Sequence, residues 1–465
     1  EKGKTRIRSM IETRPDWCIS RQRSWGVPLP IFINKKTNEP LRDSQVVENI
    51  AKIYEKEGSD CWFDDDPQKF LGKKYKKEDY IKSNDIVEVW FDSGSTHSFV
   101  LEKRKDLKWP ASMYLEGSDQ HRGWFHSSLL ESCGTRGRAP FDSILSHGFV
   151  VDGKGMKMSK SAGNIISPEE ILKKYGADIL RLWVASSDYA EDLRIDHSIL
   201  EQHAESYRKI RNTFRFVLGN LRDDFSQKDF KKIKNKEFPE LEQIILHKLF
   251  VLNEEIKKNL KEYNFHKLQK DLLNFCALDL SSFYFDIRKD TLYCDDLNSK
   301  KRKSCIELLN IVLECLIKWY APVLSFTTEE INELVQKNKK TSIHEENFPE
   351  IPGNWKNEDL FQKWEKLLNI RQQVNVAIEE KRSSKIIGSS LEADVEITLS
   401  KNEFDILNKI DAKELFITSN VTQNISKEKD ISIIVKKAKG TKCSRCWKIV
   451  PEVKDEKCPR CLKIK

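Results

Sequence analysis

The spacing of hydrophobic residues changes along the chain, and the changes divide it into regions of different secondary structure. Three short apolar runs predict strands, the last of them nearly continuous and therefore a buried parallel strand: 86–92, 112–115 and 144–151. From about residue 197 to 350 apolar residues recur every three or four positions, which predicts helices throughout. Residues 356–400 predict another helix and a strand, and a second strand follows at 431–435. The pattern therefore indicates a multidomain protein with α/β, all-α and small α+β regions.

Local signals set several boundaries within this pattern. The Ser-Pro-Glu-Glu run at 167–170 predicts a helix start, with Ser as the cap and Pro at the first helical position. A Thr and a Glu at 327 and 330 predict a capping box at another helix start. Residues 14–33 combine a short helical pattern with a Gly/Pro stop and an apolar strand. Residues 34–85 are polar and Lys-rich, which predicts a surface insertion.

Composition narrows the class of protein. The chain has 465 residues, 38% of them hydrophobic, which suggests about three domains with filled cores. It contains no apolar run of about 18 residues, so the sequence predicts a soluble protein without a membrane span. Seven of the eleven Cys are scattered and four form two close pairs, a usage typical of a reducing compartment with one metal site.

The end of the chain combines positive charge with paired cysteines. Residues 436–465 hold eleven Lys or Arg and three acidic residues, so the whole net charge of +8 lies here and favours a polyanionic partner. Two Cys-x-x-Cys pairs can hold one structural zinc ion, with two redox pairs or unligated thiols as the alternative; the candidate ligands are Cys443, Cys446, Cys458 and Cys461. Charge beside a flat ring suits contact with RNA, and the residues concerned are Arg445, Trp447, Lys448 and Arg460.

A segment with two glycines carries two lysines three positions apart. It follows the apolar run at 144–151 and continues through Gly153 and Gly155 to Lys157, Met158, Ser159, Lys160 and Ser161. Two ammonium groups on long flexible stems can follow a triphosphate and stabilise the charge on departing pyrophosphate. A solvated basic turn is the alternative that the residues alone leave open.

A second candidate site follows the strand predicted at 112–115. This strand ends on a carboxylate and a Gly before a helix opens, which places the groups at the carboxyl end of a sheet, where ligands bind in open α/β folds. Glu116 and Asp119 can hold an ammonium group and ribose hydroxyls, Gly117 permits close approach, and Gln120 offers both a donor and an acceptor. Asp119 has the alternative role of a helix cap.

Aromatic and histidine side chains near this second site have two interpretations each. Trp90 and Trp124 are candidates for the walls of an apolar amino-acid pocket, with ordinary core packing as the equal alternative. The histidines at 97, 121 and 147 have no metal-ligand spacing, so we expect capping, packing or substrate hydrogen bonds.

Several of these segments together resemble class I aminoacyl-tRNA synthetases, and among them the isoleucyl-type enzymes of bacteria. The run at 157–161 with the following Ala-Gly-Asn resembles the signature loop of this family, and Gly-Ser-Asp-Gln-His at 117–121 resembles its adenylate site. Residues 14–28 resemble the segment that follows the editing insertion in isoleucyl-type enzymes, and the paired cysteines resemble their zinc tail. One polar, basic face resembles the first helix of the anticodon-binding bundle, with an ordinary solvated face as the alternative. Its residues are Tyr207, Arg208, Arg211, Asn212 and Arg215.

The resemblance implies an activity, its partners and its site residues. The reaction would be ATP-dependent activation of L-isoleucine to isoleucyl-adenylate and transfer to tRNA(Ile), by a cytoplasmic monomer that uses ATP with Mg²⁺ and holds one structural zinc. Lys157 and Lys160 would be the catalytic residues, acting on the phosphates. The aminoacyl-adenylate would be bound by Glu116, Gly117, Asp119 and Gln120.

The resemblance also implies four domains. They are the second half of a Rossmann-like catalytic domain with an insertion at 34–85, a helical anticodon-binding domain, an α+β junction domain and a zinc ribbon; their bounds would be 1–195, 196–355, 356–438 and 439–465.

The sequence departs from the family pattern in two respects. It contains no His-Ile-Gly-His segment, whose histidines contact phosphates in this family, and no editing domain. It also begins at Glu1 and not at a Met. We therefore expect a fragment that alone neither activates isoleucine nor proofreads valine. The alternatives are a non-catalytic RNA-binding protein descended from a synthetase and a valyl- or leucyl-type enzyme.

Overall fold

The computed structural model describes residues 2–221, 226, 229–336, 341–426 and 431–464. They divide into two compact units, one of residues 1–150 with 189–193 and one of residues 151–188 with 194–465. The four domains predicted from the sequence are a different division, and their bounds stay predictions. Lys465, the last basic residue of the tail, lies outside the described residues.

The first unit is built from short strands and helices. Its β1 and β4 pair antiparallel, as do β2 and β3. Strands β5 and β6 pair in parallel, and helix α6 connects them in the sequence. The elements are α1 (Lys2–Glu12), β1 (Ser20–Arg21), β2 (Phe32–Asn34), α2 (Ser44–Glu57), α3 (Cys61–Asp64), α4 (Pro67–Leu71), β3 (Tyr80–Lys82), β4 (Ile86–Val87), α5 (Val89–Gly94), β5 (Tyr114–Gly117), α6 (Trp124–Arg136) and β6 (Ile144–His147).

Three predictions for the first unit were wrong in detail. The run at 144–151 forms two short strands, β6 and Val150–Asp152, and not one buried strand, since β6 is only half-buried and Phe149 and Val150 are exposed. The strand predicted at 86–92 stops after β4, because the Glu88 carboxylate accepts a hydrogen bond from the Trp90 amide at 3.0 Å and so caps helix α5. The helical pattern at 14–33 forms no helix. Pro15 interrupts it, and Arg14 instead lies 3.0 Å from the distant His126 ring.

The insertion at 34–85 has a small hydrophobic core of its own. Trp62 and Phe70 are fully buried, with ring centroids 5.0 Å apart, and β2 and helix α2 contribute further apolar side chains. The Lys82 ammonium lies 5.6 Å from the Trp62 ring centroid and donates to the Asp65 carbonyl at 2.9 Å. The insertion is therefore a packed subdomain whose polar residues lie around its core.

The second unit is mainly helical. Strands β7 and β8 pair with each other, and the boundary between the two units falls within each of these strands. Helices α11 and α12 are joined by a π-helical stretch, Phe275–Phe285. The elements are β7 (Val150–Asp152), α7 (Pro168–Tyr175), α8 (Ala177–Ser186), β8 (Leu193–Ile195), α9 (His197–Leu221), α10 (Glu240–Lys261), α11 (Phe265–Asn274), α12 (Asp286–Cys294), α13 (Lys300–Tyr320), α14 (Ser325–Val335), α15 (Glu358–Ser383), β9 (Ala393–Leu399), α16 (Lys401–Leu407), α17 (Ala412–Phe416), β10 (Asn420–Ile425), β11 (Ser432–Lys437), β12 (Thr441–Lys442), β13 (Ile449–Val450) and α18 (Pro459–Leu462).

Helix α13 forms the centre of this helical bundle. Every residue from Leu308 to Ile317 is buried, so the helix is covered on all sides by its neighbours. The helices predicted between about 197 and 350 are thus present and share one core. Within the described ranges, no helix combines the length and the apolar character that crossing a membrane requires.

A three-stranded sheet follows the bundle. The strand order is β10-β9-β11, with β10 parallel and β11 antiparallel to β9. Alternate residues of β9 are buried, and the two strands predicted from the sequence correspond to β9 and β11. Strand β10 was missed because its sequence, Asn-Val-Thr-Gln-Asn-Ile, is largely polar and the strand lies at the sheet edge.

Candidate active site and metal centre

The candidate site predicted after the strand at 112–115 lies at the carboxyl end of β5. Gly117 ends the strand, and a Cβ added to it would lie 2.6 Å from Asp119 Oδ1, so a side chain here would displace the Asp119 carboxylate. Glu116 and Asp119 are exposed, so both carboxylates are open to a ligand.

Gln120 is held by the start of helix α6. Its Oε1 accepts a hydrogen bond from the Trp124 amide at 3.0 Å, and its Nε2 donates to Asp119 Oδ2 at 3.2 Å. Gly123 makes this arrangement possible, since a Cβ there would lie 2.5 Å from Gln120 Oε1 and 3.0 Å from the Trp90 ring. The sequence interpretation missed Gly123, although its place before the helix was a usable signal.

The two tryptophans have different surroundings. Trp124 stacks on Tyr114 with centroids 4.1 Å apart and planes 4° apart, and its indole N–H donates to the Ser93 carbonyl at 2.8 Å. Trp90 is 41% exposed and lies against Gly123, beside Gln120. Trp124 is thus fixed by packing, whereas Trp90 offers an open apolar surface.

The three histidines all bond to nearby backbone. The Nδ1 atoms of His97, His121 and His147 lie within 3.0 Å of the carbonyls of Gly94, Ser118 and Gly148, respectively. These contacts agree with the predicted capping and packing roles.

Glu131 is a buried acid that the sequence interpretation did not single out. Burial, together with the charge of Asp92, raises the pKa of its carboxyl to about 8. A side chain on Gly94 would overlap this carboxyl, so helices α5 and α6 enclose it closely.

We expect the raised pKa to make stability fall as pH rises. The unfolded chain ionises Glu131 above about pH 4.5, whereas the folded chain does so only near pH 8, so folding costs progressively more between these values. Glu131→Gln removes this cost and should raise the unfolding free energy by about 1 kcal/mol at pH 8, with little effect at pH 4. Denaturant unfolding at both pH values measures the difference, and an equal effect of the substitution at both would contradict the assignment.

The lysine loop is closed by two residues, Asp152 and Asn164, which we call the loop clasp. Asp152 Oδ1 accepts from the amides of Lys154 and Met156 at 3.0 and 2.8 Å, and its Oδ2 accepts from Asn164 Nδ2 at 2.8 Å. Asn164 Oδ1 accepts from the Ser159 amide at 2.9 Å. Hydrogen bonds from Asn164 and Met156 hold the pKa of Asp152 below its ordinary value, which keeps the clasp ionised.

The clasp leaves both lysines of the loop exposed. Among the described residues, no carboxylate forms an ion pair with Lys157 or Lys160, so both ammonium groups are available to an anion. Gly155 and Gly163 adopt φ values of 81° and 65°, which favour Gly at the two bends. The sequence signal for the clasp was present only as an Asn that follows the signature run.

Helix α8, which follows the loop and α7, is fixed to the turn between α13 and α14. Asp178 accepts hydrogen bonds from the amides of Phe326 and Thr327 at 3.2 and 2.8 Å and from the Thr327 hydroxyl at 2.6 Å. Arg181 donates to the carbonyls of Pro322 and Val323 at 2.6 and 3.1 Å. The Asp178 carboxylate thus caps the amino-terminal end of α14, and the Arg181 guanidinium binds carbonyls just after the carboxy-terminal end of α13.

The capping box predicted at 327 and 330 was therefore wrong. Helix α14 begins at Ser325, and its first amides bond to Asp178, which lies 149 positions away in the sequence. Local spacing carries no information about a cap of this kind.

We expect Asp178→Ala to lower the unfolding free energy at α14 by about 3 kcal/mol, because buried donors lose their acceptor. Native-state hydrogen exchange at the α14 amides measures this loss. Glu205→Ala, which removes an exposed ion pair with Arg208, is the control and should cost less than about 1 kcal/mol. Equal losses in the two variants would rule out the long-range cap.

The basic face of α9 is partly neutralised. Arg208 pairs with Glu201 and Glu205, and Arg211 lies 3.6 Å from Glu330 Oε2. Of the three arginines in this face, the described structure leaves Arg215 exposed without an ion pair.

The four paired cysteines meet as predicted. Their Sγ atoms all lie within 4.8 Å of one another, and all four residues are buried. Cys446 Sγ and Cys458 Sγ are 3.8 Å apart, the separation that two thiolates have in a tetrahedral site with Zn–S bonds of about 2.3 Å. Four thiolates around one centre fit a structural zinc ion. Among the described residues this is the one group of three or more potential metal-binding side chains.

Comparison with known proteins now gives the family. The family model described as tRNA synthetases class I (I, L, M and V) matches residues 1–196, and the model of the anticodon-binding domain of tRNA ligase matches residues 242–397. The chain belongs to the class I tRNA synthetases. The resemblance found in the sequence is confirmed, and so is the fold class, with a catalytic-type α/β region followed by a helical anticodon-binding domain.

Two relatives and one solved structure extend this result. The chain is similar to the isoleucine–tRNA ligases of Pelagibacter ubique and Zymomonas mobilis, with 66% identity over 449 residues and 46% over 457. Each match covers 97% of this chain and 50% or 48% of the relative, so the chain spans about half the length of these curated relatives. The structure of a LeuRS from Agrobacterium radiobacter K84, in ternary complex with tRNA and LeuAMS, matches 91% of this chain and 54% of that chain. Its TM-score of 0.55 at 16% sequence identity supports the fold alone.

Proposed function

We propose that the chain works in an isoleucine–tRNA ligase, which activates L-isoleucine with ATP and transfers it to tRNA(Ile). The observation that carries this proposal is the 66% identity to such a ligase over 97% of the chain. Isoleucine is favoured over leucine or valine because the two relatives described above, at 66% and 46% identity, are both named isoleucine–tRNA ligases. We place this activity in the cytoplasm, in a monomeric enzyme.

The first chemical step is the formation of isoleucyl-adenylate. A carboxylate oxygen of isoleucine bonds to the α-phosphorus of ATP, and the bond from that phosphorus to the bridging oxygen breaks to release pyrophosphate. Lys157 and Lys160 stabilise the negative charge that builds on the leaving phosphates. Mg²⁺ bound with ATP supplies further charge neutralisation. The clasp keeps the loop bends in place while leaving both ammonium groups free to approach the phosphates.

The residues at the end of β5 hold the amino-acid and ribose parts of the intermediate. Glu116 accepts the substrate ammonium, and Asp119 accepts hydrogen bonds from ribose hydroxyls. Gly117 leaves room for the close approach of the ligand. The Gln120 amide keeps one N–H and one lone pair for a ligand, since its other groups bond to Trp124 and Asp119. Trp90 offers its exposed ring to the aliphatic side chain, and Trp124 supports the pocket from behind.

In the second step a hydroxyl of the terminal tRNA ribose attacks the adenylate carbonyl, and AMP leaves. The helical bundle and the cysteine-rich ribbon contribute to tRNA binding. The zinc ion would be held by the four cysteine thiolates and would fold the ribbon, which is too small to do so alone.

A chimeric ligase tests the proposal. This chain replaces the matching half of the Pelagibacter ubique isoleucine–tRNA ligase, and ATP–pyrophosphate exchange is measured with isoleucine, valine and leucine. We expect exchange that depends on isoleucine. A folded chimera that responds equally to leucine, or to no amino acid, would reject the function, and tRNA binding without exchange would favour the RNA-binding alternative.

A further inference from the structure

Helix α12 carries a carboxylate that accepts hydrogen bonds from the arginine inside the second Cys-x-x-Cys pair. Arg460 stands between Cys458 and Cys461, and its two terminal nitrogens donate to the two carboxylate oxygens of Asp290, each at 2.7 Å. One of these nitrogens also lies 3.4 Å from Asp295 Oδ1. Arg460 therefore makes a bidentate bond to the bundle, the strongest geometry for an arginine and a carboxylate.

The first cysteine pair contacts the same helix. Lys448 Nζ lies 3.6 Å from Asp290 Oδ2, and the Arg445 guanidinium donates to the Tyr293 carbonyl at 3.3 Å. Cys294, at the end of α12, is buried among the four paired cysteines and donates to the Arg445 carbonyl at 3.7 Å. Both halves of the ribbon are thus fixed to a single helix of the bundle.

These contacts change the interpretation of the ribbon cations. Arg445, Lys448 and Arg460 all bond to α12, so they do not form the freely exposed basic surface that the sequence predicts. Trp447 is 61% exposed and, with Tyr293, lines a cavity of about 300 Å³ between the ribbon and α12. Of the four ribbon residues predicted to contact RNA, Trp447 is exposed, whereas the three cations are half-buried.

We propose that Asp290 and Arg460 form a docking pair that fixes the metal-bound ribbon to α12 and so positions Trp447 for contact with RNA. The pair acts by positioning and does not itself contact RNA. This inference rests on the proposed tRNA-binding function.

The metal and the docking pair act in sequence. An isolated arginine–carboxylate bond near the surface contributes little, because two flexible segments must be ordered to form it. A metal ion bound by Cys458 and Cys461 fixes the backbone on both sides of Arg460. The guanidinium then meets Asp290 at a lower entropic cost, so zinc folds the ribbon and the pair orients it.

The first test measures docking in the complete chain. We expect Asp290→Asn and Arg460→Met each to retain one zinc per chain by native mass spectrometry. Amide hydrogen exchange in residues 441–464 should nevertheless rise about tenfold in both variants, and the double variant should exchange no faster than either single variant. Glu452→Gln, which removes an exposed charge of the ribbon without touching α12, is the control and should behave as the parent chain.

The second test separates positioning from direct contact by the sign of its effect. Asp290→Asn removes the bidentate partner of Arg460 and leaves only the 3.4 Å contact with Asp295, so a direct contact between Arg460 and RNA would become stronger in this variant. Positioning predicts the opposite, a loss of roughly tenfold in affinity for tRNA(Ile).

Three results would overturn the docking pair: unchanged exchange in both single variants, loss of zinc from either one, or tighter RNA binding by Asp290→Asn. Failure of the proposed function would give a different result. The parent chain would then show no preference for tRNA(Ile), whatever the rate of amide hydrogen exchange in its ribbon.

Discussion

Replacing Lys160 by Ala in the chimeric ligase is expected to slow isoleucine-dependent ATP–pyrophosphate exchange by about 10²- to 10³-fold. Lys157→Ala should have an effect of similar size. Both ammonium groups are exposed on the clasped loop and form no ion pair with a described residue, so their charge is available to the phosphates. Because the charge on pyrophosphate is greatest as it departs, kcat should fall more than the affinity for ATP.

Lys154→Ala is the matched control for this prediction. Lys154 is exposed in the same loop, and only its backbone amide takes part in the clasp. The control should keep exchange within about threefold of the parent, since the loss of one remote surface charge changes little. An equal loss in all three variants would mean that the loop acts through its general positive charge, which contradicts specific roles for Lys157 and Lys160.

Replacing Cys461 by Ser should release the metal and unfold the ribbon while the bundle stays folded. Four thiolates fit one zinc ion, and the ribbon itself has few buried apolar residues besides its cysteines. We expect the zinc content to fall from one to near zero per chain and the affinity for tRNA(Ile) to fall by at least about tenfold, since Trp447 is no longer positioned. Metal analysis, circular dichroism and filter binding measure these three quantities.

Cys294→Ser separates ligation from burial. This thiol is also buried beside the four cysteines, but it is not one of the group that meets around a single centre. The variant should keep its zinc and bind tRNA(Ile) within about twofold of the parent chain. If Cys294→Ser lost the metal and Cys461→Ser retained it, the assignment of the four ligands would be wrong.

Features encoded by neighbouring residues could be predicted from the sequence. The helix at 167–175 begins as expected, because the Ser167 hydroxyl accepts from the Glu170 amide at 3.2 Å and Pro168 follows the cap. The four cysteines could be grouped because their spacing alone restricts how they meet a metal. The position of the candidate residues at the end of β5 could be predicted because strand, Gly and helix follow one another directly.

Features that depend on distant residues could not be predicted in this way. The cap of α14 by Asp178 and the bond between Arg460 and Asp290 join residues 149 and 170 positions apart. An exposed arginine next to a flat ring is equally compatible with RNA contact and with an internal ion pair, and only the fold decides between them. The strand predicted at 86–92 failed for a local reason, since the Glu88 cap outweighs the β propensity of the residues that follow.

The charging of tRNA by the chimeric ligase tests the central claim most directly. Purified chimera is incubated with ATP, isoleucine and either tRNA(Ile), tRNA(Val) or tRNA(Leu), and the acid-precipitable isoleucine is counted. The account predicts isoleucine on tRNA(Ile), a strong loss of charging with Lys160→Ala, and little charging of the other two tRNAs. A folded, zinc-containing chimera that charges none of them, or charges tRNA(Leu) as well as tRNA(Ile), would contradict the account.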